Sequence, residues 1–357
     1  MDDLKGLILS GGRGTRLRPI TFTSAKQLVP VANKPVLFYG IEAMVAAGIR
    51  ELGIVVGETH AEIRAAVGDG SAFGCRVSYI MQPEPLGLAH AVKISQPFLQ
   101  QEPFVMYLGD NLLAHGITSL VQEFQLLAPT AQILLARVPN PNHFGVAELV
   151  DGRVVRLEEK PAQPRSDLAL VGVYMFTAPI FEAVNAIRPS ARGELEITDA
   201  IQYLIDRGHR VSPHVVTGWW KDTGKLEDML EANRLILETL ERRIDGEISA
   251  SSQLDGRVVV EKGAIVEDSV IRGPVIIGAG ARILRAYIGP FTSVDAGVTV
   301  RDSEIEHSIL LGGCVVEDLK TRVEDSLIGR NCRIHRSPLM PRALRLMVGD
   351  NSEVGLQ

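Results

Sequence analysis

The first chemistry in the sequence lies in the ten residues SGGRGTRLRP, at positions 10–19, directly behind the apolar run GLIL. This stretch contains three glycines and three arginines. Glycines after a strand let backbone N–H groups approach an anion closely, and the guanidinium fork of arginine fits phosphate oxygens. Arg13, Arg16 and Arg18 cannot all be core residues. The stretch therefore predicts a phosphate-binding loop, with a plain surface turn as the alternative.

Two familiar phosphate loops do not match this stretch. A dinucleotide fingerprint that starts at Gly12 requires Gly or Ala at position 17, which is Leu17. A P-loop requires Gly-Lys-Ser/Thr near residues 16–18, where the chain has Arg-Leu-Arg. The following segment, SAKQLVPVANKP, carries Lys26 in an apolar context. Beside a loop of glycines and arginines, this lysine is predicted to be a second phosphate ligand.

The stretch LILSGGRGTRLRPIT, followed by SAKQLVPVANKP, resembles the signature of the sugar-1-phosphate nucleotidylyltransferases. It is most similar to their glucose-1-phosphate thymidylyltransferase branch, in the long form with a C-terminal left-handed β-helix. The likeness covers most of residues 4–243 through several separate motifs. It implies dTTP and glucose 1-phosphate as substrates and Mg²⁺ as cofactor.

The resemblance also assigns roles within the phosphate loop. It implies that Arg16 contacts the β- and γ-phosphates and that Lys26 bridges the reacting phosphates. Family members often have Ser or Ala in place of Arg13, so no role for Arg13 follows. The residues that would wrap the nucleotide phosphates are Gly11, Gly12, Gly14 and Thr15.

Two aspartates are candidate metal ligands. FVMYLGDN ends a predicted buried strand just before Asp110, and ligands of open parallel sheets bind beyond the carboxyl ends of strands. WWKDTGK places Asp222 before a Thr-Gly turn. Taken singly, an aspartate at a strand end is more typical of a turn or a helix cap. The resemblance implies that Asp110 and Asp222 together hold Mg²⁺, which prefers carboxylate, water and phosphate oxygens.

The stretch MQPEPLGLAHAV is the candidate base site. Gln82 has donors and an acceptor that match the N3–H and O4 edge of thymine or uracil, and Gly87 permits close approach of the backbone. Without the resemblance, a polar turn is the favoured interpretation. Related uridylyltransferases tend to carry an acidic residue where Gln27 stands, which favours thymidine nucleotides. One methyl group gives only about 1–3 kcal/mol of discrimination, so some use of UTP is expected.

The sugar-phosphate site follows by resemblance from four later motifs, HFGVAEL, LEEKP, LVGVYMF and ARGELEITD. Glu159 is the implied acceptor for sugar hydroxyls, and Lys160 and Arg192 are the implied phosphate ligands. The backbone of Gly145 would lie against the hexose, while Val171 and Gly172 would shape the pocket wall. Three acidic residues are expected to order the loop after Arg192: Glu194, Glu196 and Asp199.

Other functions stay open from the sequence. One alternative uses UTP or another hexose 1-phosphate, such as N-acetylglucosamine 1-phosphate. In that version the C-terminal region would be an acyltransferase, for which His307 and His335 are the local imidazole candidates for a general base. Another alternative is a regulatory subunit that binds a sugar nucleotide without catalysis. The presence of Arg16, Lys26, Asp110 and Asp222 favours an enzyme.

The elements that must position these residues form an α/β pattern up to about residue 243. Short runs rich in β-branched and aromatic residues predict buried strands at LKGLILS, LGIVVG, VSYIMQ, FVMYLGD, AQILLARV and ALVGVYMF. Helical stretches such as PVLFYGIEAMVAAG lie between them, so we expect a Rossmann-like domain with a mostly parallel sheet and helices on both faces. DMLEANRLILETLERR, residues 228–243, predicts a long closing helix.

A different pattern begins after Gly246. Aliphatic residues recur at a spacing of six, at Val259, Ile265, Ile271, Ile277 and Ile283, and then, after a one-residue slip, at Ile288, Val294 and Val300. This period indicates a β-helix, in which each coil stacks an aliphatic side chain on the coil below. Leu327 to Ile334 predicts one more turn. The expected domains are residues 1–245 for nucleotidyl transfer and 246–341 for the left-handed parallel β-helix, with 342–357 as a tail.

Composition limits the remaining classes of function. With 357 residues and a net charge of −6, the chain is long enough for two domains and unsuited to non-specific nucleic-acid binding. Three cysteines make no disulfide framework, which favours a reducing cytoplasm. The sequence shows no apolar stretch of 18 residues and no basic leader, so neither a membrane span nor a signal peptide is expected. A homo-oligomer is expected.

Overall fold

The computed structural model describes residues 4–12 and 14–337, so Arg13 and the predicted tail, residues 342–357, lie outside the described residues. By their contacts, the described residues form two compact units. The first unit comprises residues 4–12, 24–28 and 36–222. The second comprises residues 14–23, 29–35 and 223–337. Among the described residues, no helix has the length and apolar character needed to cross a bilayer.

The first thirteen strands are short, and most follow the apolar runs of the sequence. In chain order they are Lys5–Ser10 (β1), Pro30–Val31 (β2), Lys34–Pro35 (β3), Glu51–Val56 (β4), Arg76–Met81 (β5), Phe104–Leu108 (β6), Asn111–Leu113 (β7), Ala131–Arg137 (β8), Gly145–Val150 (β9), Arg153–Glu159 (β10), Leu168–Phe176 (β11), Val211–Val215 (β12) and Trp220–Asp222 (β13). The helices are Val36–Ala46 (α1), His60–Val67 (α2), Leu88–Ile94 (α3), Gln96–Leu99 (α4), Thr118–Leu127 (α5), Ile180–Ala186 (α6), Ile197–Asp206 (α7) and Leu226–Leu237 (α8).

The first unit is built on one nine-stranded sheet with the order β10-β9-β11-β6-β1-β4-β5, and β8 lies between β11 and β12. β6, β1, β4 and β5 run parallel, whereas β11 pairs antiparallel with β6, β8 and β9. One face of the sheet packs with α3, α6 and α7, and the other packs with α1, α2 and α5. The expected Rossmann-like layering is therefore present. All six predicted strands form, but β5 lies at the sheet edge and is not buried.

The second unit contains stacked coils of three short strands each. Its strands are Arg243–Ile244, Glu247–Ile248, Gln253–Asp255, Val258–Val260, Ile265–Glu267, Val270–Arg272, Val275–Ile277, Arg282–Leu284, Tyr287–Ile288, Thr292–Val294, Thr299–Arg301, Glu304–Ile305, Ile309–Leu310, Val315–Glu317, Leu327–Ile328 and Arg333–His335 (β14 to β29). They form three parallel sheets, in which Val258 pairs with Val275 and Val275 with Thr292, each 17 residues further on. A coil of 17 residues with three short sides, each of about six residues, is typical of the left-handed β-helix that the sequence predicts.

The hexad prediction is correct for most positions and wrong for two. Ile271, Ile277 and Ile283 lie in the β-helix core, together with Ile288, Val294 and Val300. Val259 instead points outward and packs beside Leu237 and Ile276. Ile265 is only half-buried. In both strands the next residue takes the core position, because neighbouring side chains on a strand alternate between its two faces. The extra turn at Leu327–Ile328 and Arg333–His335 is present.

The closing helix is shorter than the sequence predicts. α8 spans Leu226–Leu237, and Arg243 already lies in the first β-helix strand. Asn233 of α8 is fully buried and serves as a polar hub within the second unit. Its Oδ1 accepts the N–H of Ala32 at 2.8 Å and the hydroxyl of Ser293 at 2.6 Å, and its Nδ2 donates to Phe291 O at 3.0 Å. The β2–β3 hairpin is thereby held in the second unit.

Candidate active site

Three strand ends meet at the start of the glycine-rich loop. Gly11 follows β1, and a Cβ placed on it would lie 3.2 Å from Gln82 Oε1 and 3.7 Å from the backbone N of Gly57. Gln82 follows β5 and Gly57 follows β4, so these are the carboxyl ends of neighbouring parallel strands. This edge is where open α/β sheets bind ligands. The close packing explains why the position of Gly11 has no side chain.

The rest of the loop belongs to the second unit. Gly14 has a φ of +62°, in the left-handed region that favours glycine, and Thr21 Oγ1 donates to its carbonyl at 2.7 Å. A single 3₁₀ turn, Thr15–Leu17, follows. Leu17 is buried in it, whereas Thr15 and Arg16 are exposed. The turn therefore anchors itself through Leu17 and leaves the guanidinium of Arg16 at the surface.

Lys26 is a buried ammonium between two carboxylates. It opens the 3₁₀ turn Lys26–Leu28 and is 6% exposed. Its Nζ lies 2.5 Å from Asp110 Oδ2 and 3.6 Å from Asp222 Oδ1. β7 and β13 pair antiparallel and place Asp222 opposite Asn111, which brings the two aspartates together from distant parts of the sequence. Within the first unit, the structure thus groups three of the four residues expected to carry catalysis.

The charges in this cluster depend on one another. Burial alone would raise the pKa of Asp110, but the attraction of Lys26 and hydrogen bonds from Lys26 and Asn111 hold it below the usual range. Asp110 is therefore ionised at neutral pH. No three His, Cys, Asp or Glu side chains converge as a metal cage within the described ranges. The two carboxylates supply hard oxygen ligands, and they fit a Mg²⁺ ion that takes its remaining ligands from water and phosphate.

Gln82 is held in one orientation behind the loop. Its Nε2 lies 3.0 Å from His90 Nδ1 and donates to Gly87 O at 3.3 Å. Burial lowers the pKa of His90, which favours the neutral ring as acceptor. Gly87 has a φ of +102°, and a Cβ there would lie 2.4 Å from Leu195 O. The candidate base loop therefore requires glycine at this position.

Two buried oxygens beside the loop have no hydrogen-bond partner among the described residues. They are Ser10 Oγ, at the end of β1, and Gln27 Oε1. Gln27 is 3% exposed, and its Nε2 lies 3.9 Å from a Cβ placed on Gly12. A buried acceptor without a donor is costly, so a ligand N–H or a water is expected there. This is the position at which the sequence favours thymidine nucleotides.

The predicted sugar residues form a second cluster. A Cβ on Gly145 would lie 2.7 Å from Thr198 Cγ2 and 3.2 Å from Glu159 Oε2, so the backbone of Gly145 lies directly against that carboxylate. Thr198, at the start of α7, donates to Glu159 Oε2 at 3.3 Å. Burial, and then repulsion by Glu196, raise the pKa of Glu159. Hydrogen bonds from hydroxyl donors would therefore stabilise the ionised form of Glu159.

Arg192 is held by the acidic residues around it. Its Nη2 donates to Glu196 at 2.8 and 3.0 Å and lies 3.4 Å from Glu159 and from Glu194. Lys160 Nζ lies 3.7 Å from Glu159. Both predicted phosphate cations therefore lie next to the predicted hydroxyl acceptor. Glu194 and Glu196 order the Arg192 loop as expected, while no contact of Asp199 with Arg192 is found among the described residues.

Val171 does not present its side chain as a pocket wall. It is fully buried among the core residues between the sheet and α1. Pairing of β11 with β8 shifts register between Leu170 and Tyr174, a stretch that contains Val171 and Gly172. A pocket wall at this point would therefore have to be formed by backbone. Strand alternation explains the difference, because the side chain of Val171 points to the opposite face from Leu170.

Three residues that contact the predicted site residues or their neighbours are not predicted from the sequence: Asn111, Trp220 and Thr198. Asn111 links Asp110 to Trp220, whose indole also meets Phe144 edge-on at 5.4 Å. Thr198 supports Glu159 as described above. A polar residue directly after Asp110 was a usable signal for Asn111, but the pairing of β7 with β13 that brings Trp220 to it is not readable from the sequence.

Neither His307 nor His335 of the β-helix is arranged as a catalytic general base. His307 Nδ1 pairs with Asp325, its ring meets Phe291 edge-on at 6.0 Å, and its Nε2 is buried without a hydrogen-bond partner among the described residues. His335 is exposed on the last strand. The geometry gives the acyltransferase alternative no support.

Comparison with known proteins identifies the family of the chain. A family model described as nucleotidyl transferase matches residues 5–239. The chain belongs to this nucleotidyl transferase family. A glucose-1-phosphate thymidylyltransferase of Streptomyces griseus is 59% identical over 350 residues, which are 98% of each chain. A low-salt glycan biosynthesis nucleotidyltransferase of Haloferax volcanii is 47% identical and covers 99% of this chain and 100% of its own.

Solved structures of the nucleotidyl transferase fold resemble part of the chain. A putative glucose-1-phosphate thymidylyltransferase of Bacillus anthracis superposes with a TM-score of 0.62 at 34% identity, over 65% of this chain and 94% of its own. A UDP-glucose pyrophosphorylase bound to UDP-glucose gives 0.60 at 26% identity, over 66% and 98%. The full-length relatives thus match this chain through its C-terminal region, whereas the two solved structures match about two thirds of the chain.

Proposed function

We propose that the protein transfers a thymidylyl group from dTTP to glucose 1-phosphate and releases pyrophosphate. The observation that carries the proposal is the buried Lys26 ammonium between Asp110 and Asp222, in the same unit as the Glu159–Arg192 cluster. The Lys26 cluster has a cation and two carboxylates suited to bind a nucleoside triphosphate with its metal ion. The Glu159–Arg192 cluster has a hydroxyl acceptor and a cation suited to bind a sugar phosphate. Full-length relatives named glucose-1-phosphate thymidylyltransferase, at 59% and 56% identity, support the choice of substrates.

The reaction needs no side-chain nucleophile. A phosphate oxygen of glucose 1-phosphate attacks the α-phosphorus of dTTP in line, and the bond from that phosphorus to the β-phosphate oxygen breaks as pyrophosphate leaves. Lys160 and Arg192 hold the attacking phosphate, and Glu159 accepts hydrogen bonds from the sugar hydroxyls. Lys26 stabilises the charge that grows on the α-phosphate, while Arg16 stabilises the leaving group. Catalysis is then mainly positioning and charge neutralisation.

The nucleotide is proposed to lie along the carboxyl ends of β1, β4 and β5. The backbone of Gly11, Gly12, Gly14 and Thr15 would receive its phosphates. Gln82, Gly87 and Gln27 would surround its base. The unpartnered Gln27 Oε1 is a ready acceptor for an N–H donor of the ligand.

Mg²⁺ is the proposed cofactor, and Asp110 and Asp222 would hold it. When bound, the ion supplies Lewis-acid stabilisation of phosphate charge. The two carboxylates also lie 2.5 and 3.6 Å from the Lys26 ammonium and would hold it in place. These paired roles explain why a lysine is buried among acidic side chains.

A matrix of dTTP, UTP, ATP, CTP and GTP against several hexose 1-phosphates, read as released pyrophosphate, tests the function. We expect dTTP with glucose 1-phosphate to give the highest kcat/KM, and UTP to follow within the range that one methyl group allows, about 10- to 200-fold. A preference for UTP or for a purine nucleotide would overturn the base assignment. Absence of pyrophosphate with every pair would favour the regulatory subunit.

A further inference from the structure

Asn111 lies at the centre of a hydrogen-bond chain beside the proposed metal site. It begins β7 directly after Asp110 and is 2% exposed. Tyr107 Oη donates to its backbone carbonyl at 3.1 Å. A Cβ on Gly172 would lie 2.7 Å from its Oδ1, so even a methyl group on the neighbouring strand would displace it. The position of this carboxamide is therefore fixed from several sides.

The orientation of the carboxamide is fixed by an aromatic donor. Trp220 Nε1 donates to Asn111 Oδ1 at 2.6 Å, and Asn111 Nδ2 donates to Asp110 Oδ1 at 2.8 Å. An indole N–H can only donate, so it can face only the oxygen of the amide. The NH₂ group must then turn toward Asp110. The other oxygen of that carboxylate faces Lys26.

We propose that Trp220 is a positioning residue that, through Asn111, sets the rotation of the Asp110 carboxylate for metal binding. Phe144, which precedes Gly145 in the sugar cluster, meets the Trp220 ring edge-on at 5.4 Å. The indole therefore links the metal carboxylate to the strand that borders the proposed sugar site. The inference rests on the proposed metal site, and it assigns a role to a residue that contacts neither phosphate nor ion.

The test measures metal binding in the full-length protein, with Mn²⁺ as the probe and dTTP present without sugar phosphate. Free Mn²⁺ is read by electron paramagnetic resonance. Trp220→Phe keeps the ring and removes the N–H, so we expect Mn²⁺ affinity to fall about tenfold, the lower range for loss of a supporting hydrogen bond at a metal site. Trp219→Phe makes the same change one residue earlier and should leave Mn²⁺ affinity unchanged.

Turnover gives a second readout that a purely structural role would not produce. In Trp220→Phe the Mg²⁺ concentration for half-maximal pyrophosphate release should rise, while the KM for dTTP at saturating Mg²⁺ stays close to the original value. Asn111→Ser removes the link from its other end and should give the same pattern. It also decides the question if Trp220→Phe does not fold.

The outcomes separate this inference from the proposed metal site. Wild-type Mn²⁺ affinity in a folded Trp220→Phe or Asn111→Ser protein would overturn the positioning role, as would an equal loss in Trp219→Phe. If Asp110→Asn and Asp222→Asn both bind Mn²⁺ normally, the metal site itself is wrong. Weak binding in those two variants with normal binding in Trp220→Phe and Asn111→Ser rejects only the role of Trp220.

Discussion

The site of the first unit and the β-helix of the second bury polar groups in opposite ways. In the β-helix, three buried serines repeat one arrangement, in which the hydroxyl donates to the carbonyl two residues earlier and accepts an N–H from the next coil. The pairs are Ser269 with Glu267 and Ala286, Ser303 with Arg301 and Leu319, and Ser308 with Glu306 and Ser326. Each hydroxyl is satisfied by a repeating neighbour.

The first unit instead brings unlike charges together from distant positions. Lys26, Asp110 and Asp222 come from three parts of the sequence, and their charges offset one another without a repeat. The β-helix pair Arg285 with Asp302 lies at the surface, with side chains 54% and 35% exposed. The less exposed carboxylate of Glu317 pairs with Arg301 and Arg333, each 16 residues away in an adjacent coil. Buried polar groups that repeat thus indicate stability, whereas buried charges that converge indicate a site.

The convergent carboxylates offer the strongest test of this contrast. Asp110→Asn and Asp222→Asn should each lower kcat by at least about 100-fold, as the loss of one charge-stabilising group in an active site does. Pyrophosphate release at saturating Mg²⁺ measures the effect, and circular dichroism checks the fold. Asp302→Asn, in an exposed pair of the β-helix, is the matched control and should keep normal turnover. Near-normal activity in either site variant would remove the two-carboxylate site.

Removal of the β-helix tests whether the two regions are independent. The flat faces and open ends of a stack of coils commonly pack against another domain or subunit, which favours a role in assembly rather than in chemistry. By their contacts, however, residues 14–23 and 29–35 belong to the second unit, and a Cβ on Gly329 would lie 3.3 Å from Ile20 Cδ1. Because these segments include Gly14, Thr15 and Arg16, we expect a chain that ends at Arg242 to bind dTTP at least tenfold more weakly, about 1.4 kcal/mol, by calorimetric titration. Unchanged affinity in the folded, shortened chain would show that the β-helix is dispensable for the nucleotide.

The sequence predicts the repeating region and the site in different ways. Hexads reveal most of the β-helix core, since a coil repeats its inward positions, but they misplace Val259 and Ile265 because a strand also has an outward face. Family motifs identify Lys26 and Asp110, but spacing says nothing of Trp220, which reaches Asn111 through β7–β13 pairing. Helix α8 ends early because the coil geometry already begins at Arg243. Long-range pairing is what single-sequence patterns do not contain.

The Asn233 hub extends the comparison, since it is a buried polar group of the second unit that does not repeat. Asn233→Ala leaves the N–H of Ala32 and the hydroxyl of Ser293 without their acceptor, which should lower the free energy of unfolding by about 2–3 kcal/mol. Thermal and urea unfolding measure it. Asn185→Ala removes one hydrogen bond to Phe181 on an exposed helix face and should cost far less. Equal losses of unfolding free energy in the two variants would show that the hydrogen bonds of Asn233 stabilise the fold no more than the exposed bond of Asn185.

The smallest expected effect comes from Glu159, where the substitution should raise the stability of the fold rather than lower it. The pKa of this carboxyl is raised, first by burial and then by Glu196, so the fold disfavours its ionised form. The penalty sets in as pH rises through the unfolded pKa, is complete above the folded pKa, and is absent below both. Glu159→Gln should therefore unfold at a slightly higher temperature at pH 7 while losing affinity for the sugar phosphate, and the gain in stability should vanish at acid pH.

Asp302 is the matched comparison, because a hydrogen bond from Arg285 lowers the pKa of its carboxyl. Asp302→Asn should therefore show the reverse sign, with a small loss of stability at pH 7 that disappears as pH falls. Melting curves between pH 3 and 8 compare the two, and a Glu159→Gln protein that is less stable at pH 7 would mean that this carboxylate stabilises the fold rather than being kept for the substrate.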